Sequence, residues 1–294
     1  MGLISYGEAV GLLSAFIWAV NSLIIRTQSF NVPPTLMNAI RCAVAALFFW
    51  CLLPFNANLS DYARVTPYEW ACLMSSVTIG VVVGDTLYLW SIREIGVART
   101  MALVGTTPIT TLAFEKLLLG LEVSSTFVLG CFLAASGVFC LAGKPKQTHP
   151  DTTINLKRGV LLSLSAALLW GLSTTLLKPA IANLTAVQAN SIRMPFVAGL
   201  TFLTWRLRSD GMGLQQLGKK ALIIVAFTGL LGMGVGSLFY LTTIGLVGPS
   251  KTATLTAATP VFALIMSILF LKEKITLRLL LGVLLCASGV YMVL

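Results

Sequence analysis

Ten runs of about 20 mostly apolar residues, separated by short polar stretches, limit the folds open to this chain. A helix rises about 1.5 Å per residue, so each run can cross the roughly 30 Å hydrocarbon core of a bilayer. The runs are too long for barrel strands and lack period-two alternation. They cover approximately residues 7–26, 34–53, 69–91, 98–119, 124–142, 158–178, 185–205, 221–243, 250–271 and 275–294. The pattern predicts an all-α membrane protein with ten transmembrane helices.

The scarcity of charged residues leads to the same class. Only 10% of the 294 residues are charged, against about 25% in ordinary soluble domains. The net charge of +10 is best explained by basic loops that set topology and meet anionic lipid, not by nucleic-acid binding. We expect a multi-pass protein of the cell inner membrane, a monomer whose partners are a small-molecule solute and lipids. The first run has no basic residue before it and no cleavage site after it, so we expect it to be retained.

The two halves of the chain match one another when the sequence is shifted by 152 residues without gaps. Matched positions include rare residue types, among them Trp18 and Trp170, Asn38 and Asn190, Arg41 and Arg193, Gly80 and Gly232, Tyr88 and Tyr240, and Pro108 and Pro260. A duplicated unit with an odd number of spans places its two copies in opposite orientations. The sequence therefore predicts two inverted five-helix repeats, residues 1–143 and 158–294, joined by a polar linker over 144–157.

Two arginines, Arg41 and Arg193, lie about two turns inside apolar runs. An arginine at mid-membrane costs about 2.5–3.5 kcal/mol on insertion scales. Each could line a polar cavity and hold the anionic part of a solute, or it could reach the interface or neighbouring carbonyls in a structural role. The repetition favours the structural role, at the mouths of a cavity. Asn38 and Asn190, one turn away, are expected to bond the guanidinium or a backbone break.

Asp85 is the deepest acidic residue, and its counterpart in the second half is Ser237. A carboxylate at this depth could bind a cation, take up a coupling proton or pair with an arginine. Tyr88, one turn further on, and its counterpart Tyr240 could line a cavity or belong to the interfacial aromatic belt.

Two tryptophans lie in the middle of the first and sixth runs, each near a polar side chain. They can line a binding cavity or serve packing alone. The predicted substrate-binding wall consists of Trp18, Asn21, Asp85, Tyr88, Trp170, Thr174 and Tyr240.

Prolines and glycines mark the remaining helices. Pro108 and Pro260 fall near the middle of the fourth and ninth runs, where proline removes a hydrogen bond and kinks a helix. We expect each kink to act as a hinge or to expose carbonyls, although simple curvature would also explain it. The pairs Gly80–Gly84 and Gly232–Gly236 predict close contact with neighbouring helices.

Several kinds of chemistry have no support in the sequence. The single histidine, His149, lies in the predicted linker, and there is no G-x-S-x-G, P-loop or H-E-x-x-H motif. None of the six cysteines forms C-x-x-C. We therefore expect no enzyme, no catalytic residue, no metal and no cofactor. The alternatives are a membrane-embedded enzyme, which would need clustered Asp, His or Ser, and a non-transporting scaffold, for which the loops are short.

The order of these motifs resembles the EamA-type drug/metabolite transporter superfamily over nearly the whole chain. The matching pieces are A-F-I-W-A-V with L-L-W-G-L, N-A-I-R with N-S-I-R, G-D-T-L-Y-L with G-S-L-F-Y-L, T-P followed by L-x-x-x-E (Leu118–Glu122 and Leu269–Glu273), and a closing G-x-x-x-x-x-S-G-V. The resemblance implies a central cavity between the repeats. It also implies secondary transport, often export, of amino acids and related metabolites by alternating access.

The first span departs from small four-span relatives, which use a mid-membrane glutamate there. No acid lies between Ala9 and Ile25, and Glu8 is at the very start of the run. We therefore expect an aromatic and neutral polar cavity that suits uncharged or zwitterionic solutes. Most lysines and arginines lie in loops on the face opposite the N-terminus, which favours external termini, whereas the resemblance implies cytoplasmic termini.

Overall fold

A computed structural model of the chain describes residues 5–28, 31–56, 58–120, 124–141, 155–208, 213–271 and 277–293. Within those ranges the chain forms helices and short connections, with no strand. The predicted linker up to residue 154, with His149, lies outside the described residues, as do Glu122 and Glu273 of the L-x-x-x-E motif.

Fourteen α-helices occur in the described part of the chain. In the first half they are α1 Tyr6–Gln28, α2 Pro34–Asn56, α3 Pro67–Val77, α4 Thr86–Ile95, α5 Val97–Val104, α6 Thr107–Leu119 and α7 Ser125–Leu141. In the second half they are α8 Leu156–Ala180, α9 Ala186–Arg208, α10 Lys219–Thr228, α11 Ser237–Val247, α12 Pro249–Thr256, α13 Thr259–Leu271 and α14 Leu277–Val293.

Five helical segments in the described ranges are long and apolar enough to cross a membrane. They are Tyr6–Gln28, Pro34–Phe55, Pro67–Ile95, Leu156–Ala180 and Lys219–Val247. Shorter apolar helices occupy Ser125–Val138 and Leu280–Val293. The predicted all-helical membrane class is confirmed. The count of ten spans and their inverted arrangement stay predictions.

The third and eighth predicted spans are not uniform α-helices. Each changes to π-helical geometry at its centre, over π1 (Thr78–Asp85) and π2 (Gly229–Gly236). Carbonyl oxygens within both π segments accept hydrogen bonds from side chains of other helices. Trp170 and Trp18 bind such carbonyls: the indole nitrogen of Trp170 donates to Gly80 O at 3.1 Å, and that of Trp18 donates to Gly232 O at 3.1 Å.

The fourth and ninth predicted spans are broken, which corrects the expectation of a kinked but continuous helix. α5 ends at Val104 and α6 begins at Thr107, while α12 ends at Thr256 and α13 begins at Thr259. Pro108 and Pro260 therefore lie in the first turn of a new helix, where proline fits because its missing N–H has no intrahelical acceptor to lose.

The close contacts predicted for the glycine pairs are confirmed. A Cβ atom on Gly80 would lie 2.8 Å from Ser173 Cβ, and one on Gly84 would lie 2.9 Å from Trp170 Cδ1. In the other half, a Cβ on Gly232 would meet the Asn21 amide at 2.5 Å, and one on Gly236 would lie 2.9 Å from Trp18 Cδ1. The glycines let α1 and α8 approach the π segments closely enough for the tryptophan hydrogen bonds.

The two halves exchange equivalent contacts along α7 and α14 as well. A Cβ on Gly137 would lie 2.7 Å from Cys286 Cα and 2.7 Å from Gly282 O. Reciprocally, a Cβ on Gly289 would lie 2.8 Å from Ala134 Cα and 2.5 Å from Gly130 O. Positions that differ by 152 residues thus change places across this interface. Such reciprocity is the mark of a self-complementary contact between two similar units.

Two carboxylates hold the first turn of α12. Glu8 of α1, a buried carboxylate, forms a salt bridge with the partly buried Lys251. Glu115 of α6 accepts hydrogen bonds from the Ser250 backbone N–H, at 3.0 Å, and from the Ser250 hydroxyl. An acidic group at the beginning of a helix is stabilised by its free N–H groups. These contacts join the first half of the chain to the second.

Two glycines with left-handed backbone connect the long helices to the broken ones. Gly96 has φ 82° and ψ 166°, and Gly248 has φ 88° and ψ 167°. This region of conformational space is almost restricted to glycine.

Replacing Gly248 with alanine should lower the free energy of unfolding by about 1–3 kcal/mol, because a Cβ is strained in that conformation. The measurement is thermal unfolding of the purified protein in detergent. Gly199→Ala is the matched control, since Gly199 is helical and has open space around it. An equal melting temperature for Gly248→Ala and wild type would contradict the argument.

Candidate functional site

A cavity of about 200 Å³ lies among α1, α8, both π segments and the two helix breaks. Ligand pockets for drug-sized molecules measure about 300–1,000 Å³, so this one suits a smaller solute. All seven residues of the predicted wall line it: Trp18, Asn21, Asp85, Tyr88, Trp170, Thr174 and Tyr240. Pro108 and Pro260 line it too, beside the helix breaks.

Two aromatic pairs line the cavity, and each pair joins a tryptophan of one half of the chain to a tyrosine of the other half. The rings of Trp18 and Tyr240 are 4.9 Å apart, and those of Tyr88 and Trp170 are 5.1 Å apart. The tyrosine hydroxyls are held in turn by side chains of α1 and α8. Tyr88 Oη lies 3.2 Å from Ser22 Oγ, and Tyr240 Oη lies 2.6 Å from Thr174 Oγ1. These contacts place both tyrosines on the cavity wall instead of at the membrane interface.

Asp85 is the last residue of π1, and its carboxylate faces the cavity. Its Oδ1 accepts a hydrogen bond of 2.9 Å from the Trp170 indole nitrogen, which also donates to Gly80 O. Arg41 lies within electrostatic range of the carboxylate. Within the described ranges no salt bridge joins the Asp85 and Arg41 side chains, so the three roles that sequence leaves open to Asp85 stay predictions.

Both arginines line the cavity, and both are almost fully buried, at 4% exposure for Arg41 and 3% for Arg193. The aromatic and neutral wall expected from sequence is therefore incomplete, because two guanidinium groups and a carboxylate belong to it. The apolar sequence around each arginine favours a structural role at the mouth of the cavity. Tertiary packing instead turns these faces of α2 and α9 inward.

The two asparagines play the two roles that sequence left open, one in each half. Asn190 Oδ1 accepts a 2.8 Å hydrogen bond from Arg193 Nη1, so it holds the guanidinium. Asn38 Nδ2 donates to Val81 O at 2.9 Å, so it binds a backbone carbonyl within π1. Neither asparagine is part of the cavity wall.

Sequence reasoning missed several small polar residues of the wall, including Ser22, Ser173 and Ser237. Ser22 lies one turn after Trp18 and is the counterpart of Thr174, so the duplicated spacing could have identified it. Ser173 is the counterpart of Asn21, and its hydroxyl donates to Ser76 O at 2.7 Å. Serine is too common in membrane helices to be singled out without that alignment.

The fold and the cavity define an integral membrane protein with an internal space of solute size. The chain belongs to the EamA-like transporter family, whose sequence profile matches residues 5–143 and again residues 157–294. The family resemblance inferred from the motifs is thereby confirmed, and the chain is a transporter by family.

Similar proteins share this length and organisation. The chain is 23% identical over 285 residues to "Uncharacterized transporter YvbV" of Bacillus subtilis (strain 168), covering 96% of this chain and 90% of that protein. It is 20% identical over 284 residues to "Uncharacterized transporter YoaV" of the same organism, covering 96% and 95%. A solved crystal structure has the same fold, with a TM-score of 0.75 at 18% identity, covering 99% of this chain and 98% of the other.

Proposed function

We propose that this protein is a secondary transporter that exports small amphipathic metabolites, such as amino acids, across the cell inner membrane. The observation that carries the proposal is the cavity of about 200 Å³ whose wall is built from equivalent positions in both halves of the chain. A site shared between two repeats suits alternating access, because the repeats can exchange conformations around it.

The reciprocal contacts support two inverted five-helix repeats, residues 1–143 and 158–294. Trp18 bonds a carbonyl of π2 while Trp170 bonds the equivalent carbonyl of π1. In this mechanism the solute binds between the two aromatic pairs. Rocking of the repeats about the breaks beside Pro108 and Pro260 then moves the opening of the cavity from one face to the other.

The competing functions have less support from the cavity wall. A membrane-embedded enzyme would need an acid or base beside a nucleophile. The wall has serines, but Ser173 Oγ donates to Ser76 O and Ser237 Oγ to Asn190 Oδ1. Among the described lining residues Asp85 is the single carboxylate and no histidine is present. A scaffold without transport gives no reason for burying two arginines beside a cavity, since each buried charge is costly.

The test is solute movement in liposomes that contain the purified protein. Liposomes loaded with one unlabelled amino acid at millimolar concentration are diluted into the same labelled amino acid, across a panel of acidic, neutral and aromatic members. Transient accumulation of label above equilibrium, absent from protein-free liposomes, is the expected result. Chemical conversion of a solute without its movement would favour the enzyme. If no amino acid of the panel is moved or converted, the result would favour the scaffold.

A further inference from the structure

The two halves of the cavity carry unequal charge although their arginines match. In the first half Arg41 lies near enough to the Asp85 carboxylate for charge–charge attraction, although in the described part of the chain no salt bridge joins the two side chains. In the second half Arg193 occupies the position of Arg41, but the position of Asp85 is held by Ser237. Both copies of the repeat therefore contain the arginine, but only the first contains the carboxylate.

Arg193 has no carboxylate partner among the residues that the structure describes. Its Nη1 donates to Asn190 Oδ1 at 2.8 Å, and Ser237 Oγ donates to the same oxygen at 3.3 Å. Its Nε, like that of Arg41, is buried without a hydrogen-bond acceptor in the described ranges, so the nearby carboxylate and not this atom distinguishes the two arginines. The side chain is 3% exposed and lines the cavity. A buried, always-charged guanidinium with an unused donor is a ready anion site.

The cavity wall as described holds two guanidinium groups and one carboxylate, so its net charge is positive. Protonation of Asp85 would only increase that charge. A positive charge within a membrane-embedded cavity is costly when nothing offsets it. A zwitterion or a neutral solute would leave the excess charge unchanged, and a cation would raise it.

On the basis of the transport function proposed above, we infer that the solute is a small organic anion of net charge −1 whose anionic group binds Arg193. This places the anion beside Ser237, where the second half lacks the carboxylate that the first half has. The Asp85 carboxylate offsets one of the two positive charges of the wall, and its Oδ1 accepts the Trp170 hydrogen bond, which leaves Oδ2 to accept a bond from a donor group of the solute. Arg193 is the residue that determines the charge selected.

The binding experiment compares pairs of probes that match in shape and differ in charge. The pairs are L-glutamate with L-glutamine, and phenylacetate with phenylacetamide, each titrated into the full-length purified protein. Melting temperature and tryptophan fluorescence report binding. A charge-assisted bond to the guanidinium should make the anionic member of at least one pair bind about tenfold tighter than its neutral partner. Equal affinities in both pairs, or no binding by either anion, would overturn the inference.

Variants then attribute the preference to Arg193. Arg193→Gln should abolish the preference for the anion, while Arg193→Lys should keep part of it because the charge remains. Ser237→Asp supplies an internal carboxylate and should also abolish the preference, whereas the neutral control Ser237→Asn should retain it. A preference that survives both Arg193→Gln and Ser237→Asp would place the anion elsewhere and overturn the inference.

Melting temperatures measured without solute separate an effect on charge from a general folding defect of the variants. If Arg193 is uncompensated, Ser237→Asp should melt at a higher temperature than Ser237→Asn, because it removes the net charge of the cavity. A lower melting temperature for Ser237→Asp would contradict an uncompensated Arg193.

This inference and the transport proposal can fail separately. Counterflow of glutamine at the rate of glutamate would leave transport standing and overturn the selection of anions. Tight, Arg193-dependent binding of an anion without any counterflow would support the anion site and oppose the transport function.

Discussion

Replacing Gly137 with leucine should leave almost no folded protein in the membrane. A first side-chain carbon at this position would lie 2.7 Å from Cys286 Cα and 2.7 Å from Gly282 O, both backbone atoms of α14. Backbone cannot move aside as a flexible side chain can, so α7 and α14 would have to separate. We expect a loss of about 4 kcal/mol or more, in the range that marks severe packing defects. Fluorescence-detected size exclusion of the extracted protein measures the folded fraction.

Gly199→Leu is the control for Gly137→Leu. Gly199 also lies within a helix, α9, but it is exposed, and a first side-chain carbon there would have no neighbouring atom within 4 Å. Its replacement should leave yield and melting temperature close to those of the wild type. A normal yield for Gly137→Leu would show that α7 and α14 are not packed through their glycines.

Replacing Trp170 with phenylalanine should reduce transport at least about tenfold, since its bond to the Asp85 carboxylate is of the kind that contributes about 1.5–3 kcal/mol. The indole nitrogen donates to Asp85 Oδ1 at 2.9 Å and to Gly80 O at 3.1 Å. Phenylalanine keeps the ring against Tyr88 but leaves both acceptors without this donor. The measurement is initial counterflow rate per folded protein in liposomes, with the solute that the panel identifies.

Trp50→Phe is the control for Trp170→Phe. The Trp50 indole nitrogen also donates to a backbone carbonyl, Ser191 O at 3.0 Å, but its side chain is half exposed on the outside of α2. Loss of that bond should leave the transport rate nearly unchanged. If both variants transport equally well, the bonds of Trp170 serve no more than packing.

The positions of the helices follow from the sequence to within a few residues, because long apolar runs bounded by polar stretches leave little choice. The predicted span 7–26 is the helix Tyr6–Gln28, and 185–205 is Ala186–Arg208. The π geometry of π1 and π2 was not predicted. Both π segments accept hydrogen bonds from tryptophans in distant parts of the chain, and no local sequence pattern indicates such contacts.

The helix breaks show a similar limit. A proline in an apolar run indicates that the helix is disturbed, but it does not distinguish a kinked helix from the start of a second helix. Before α6 and α13, Gly105–Thr106 and Ala257–Ala258 form turns, which moves Pro108 and Pro260 into first turns. Whether the helix bends or breaks at the proline depends on what packs against it, and here both breaks border the cavity.

The residues of the cavity wall were predictable where duplication kept a rare type, as with the tryptophans and tyrosines. The orientation of Arg41 and Arg193 was not, because an arginine near the end of an apolar run suits a cavity and an interface equally. Only the packing of α2 against π2, with Arg41 directly opposite Gly229, fixes its depth.

The contacts that Glu8 and Glu115 make with α12 have a consequence for how the two halves of the chain can move. The positions 152 residues from Glu8 and Glu115 carry Val160 and Ser267, so the same pair of acids is not repeated at the equivalent place. At the other end, the salt bridge between Arg158 and Glu94 is partly exposed, and water weakens such pairs. In the transport cycle proposed here, we therefore expect separation of α12 from α1 and α6 to cost more free energy than separation of α8 from α4.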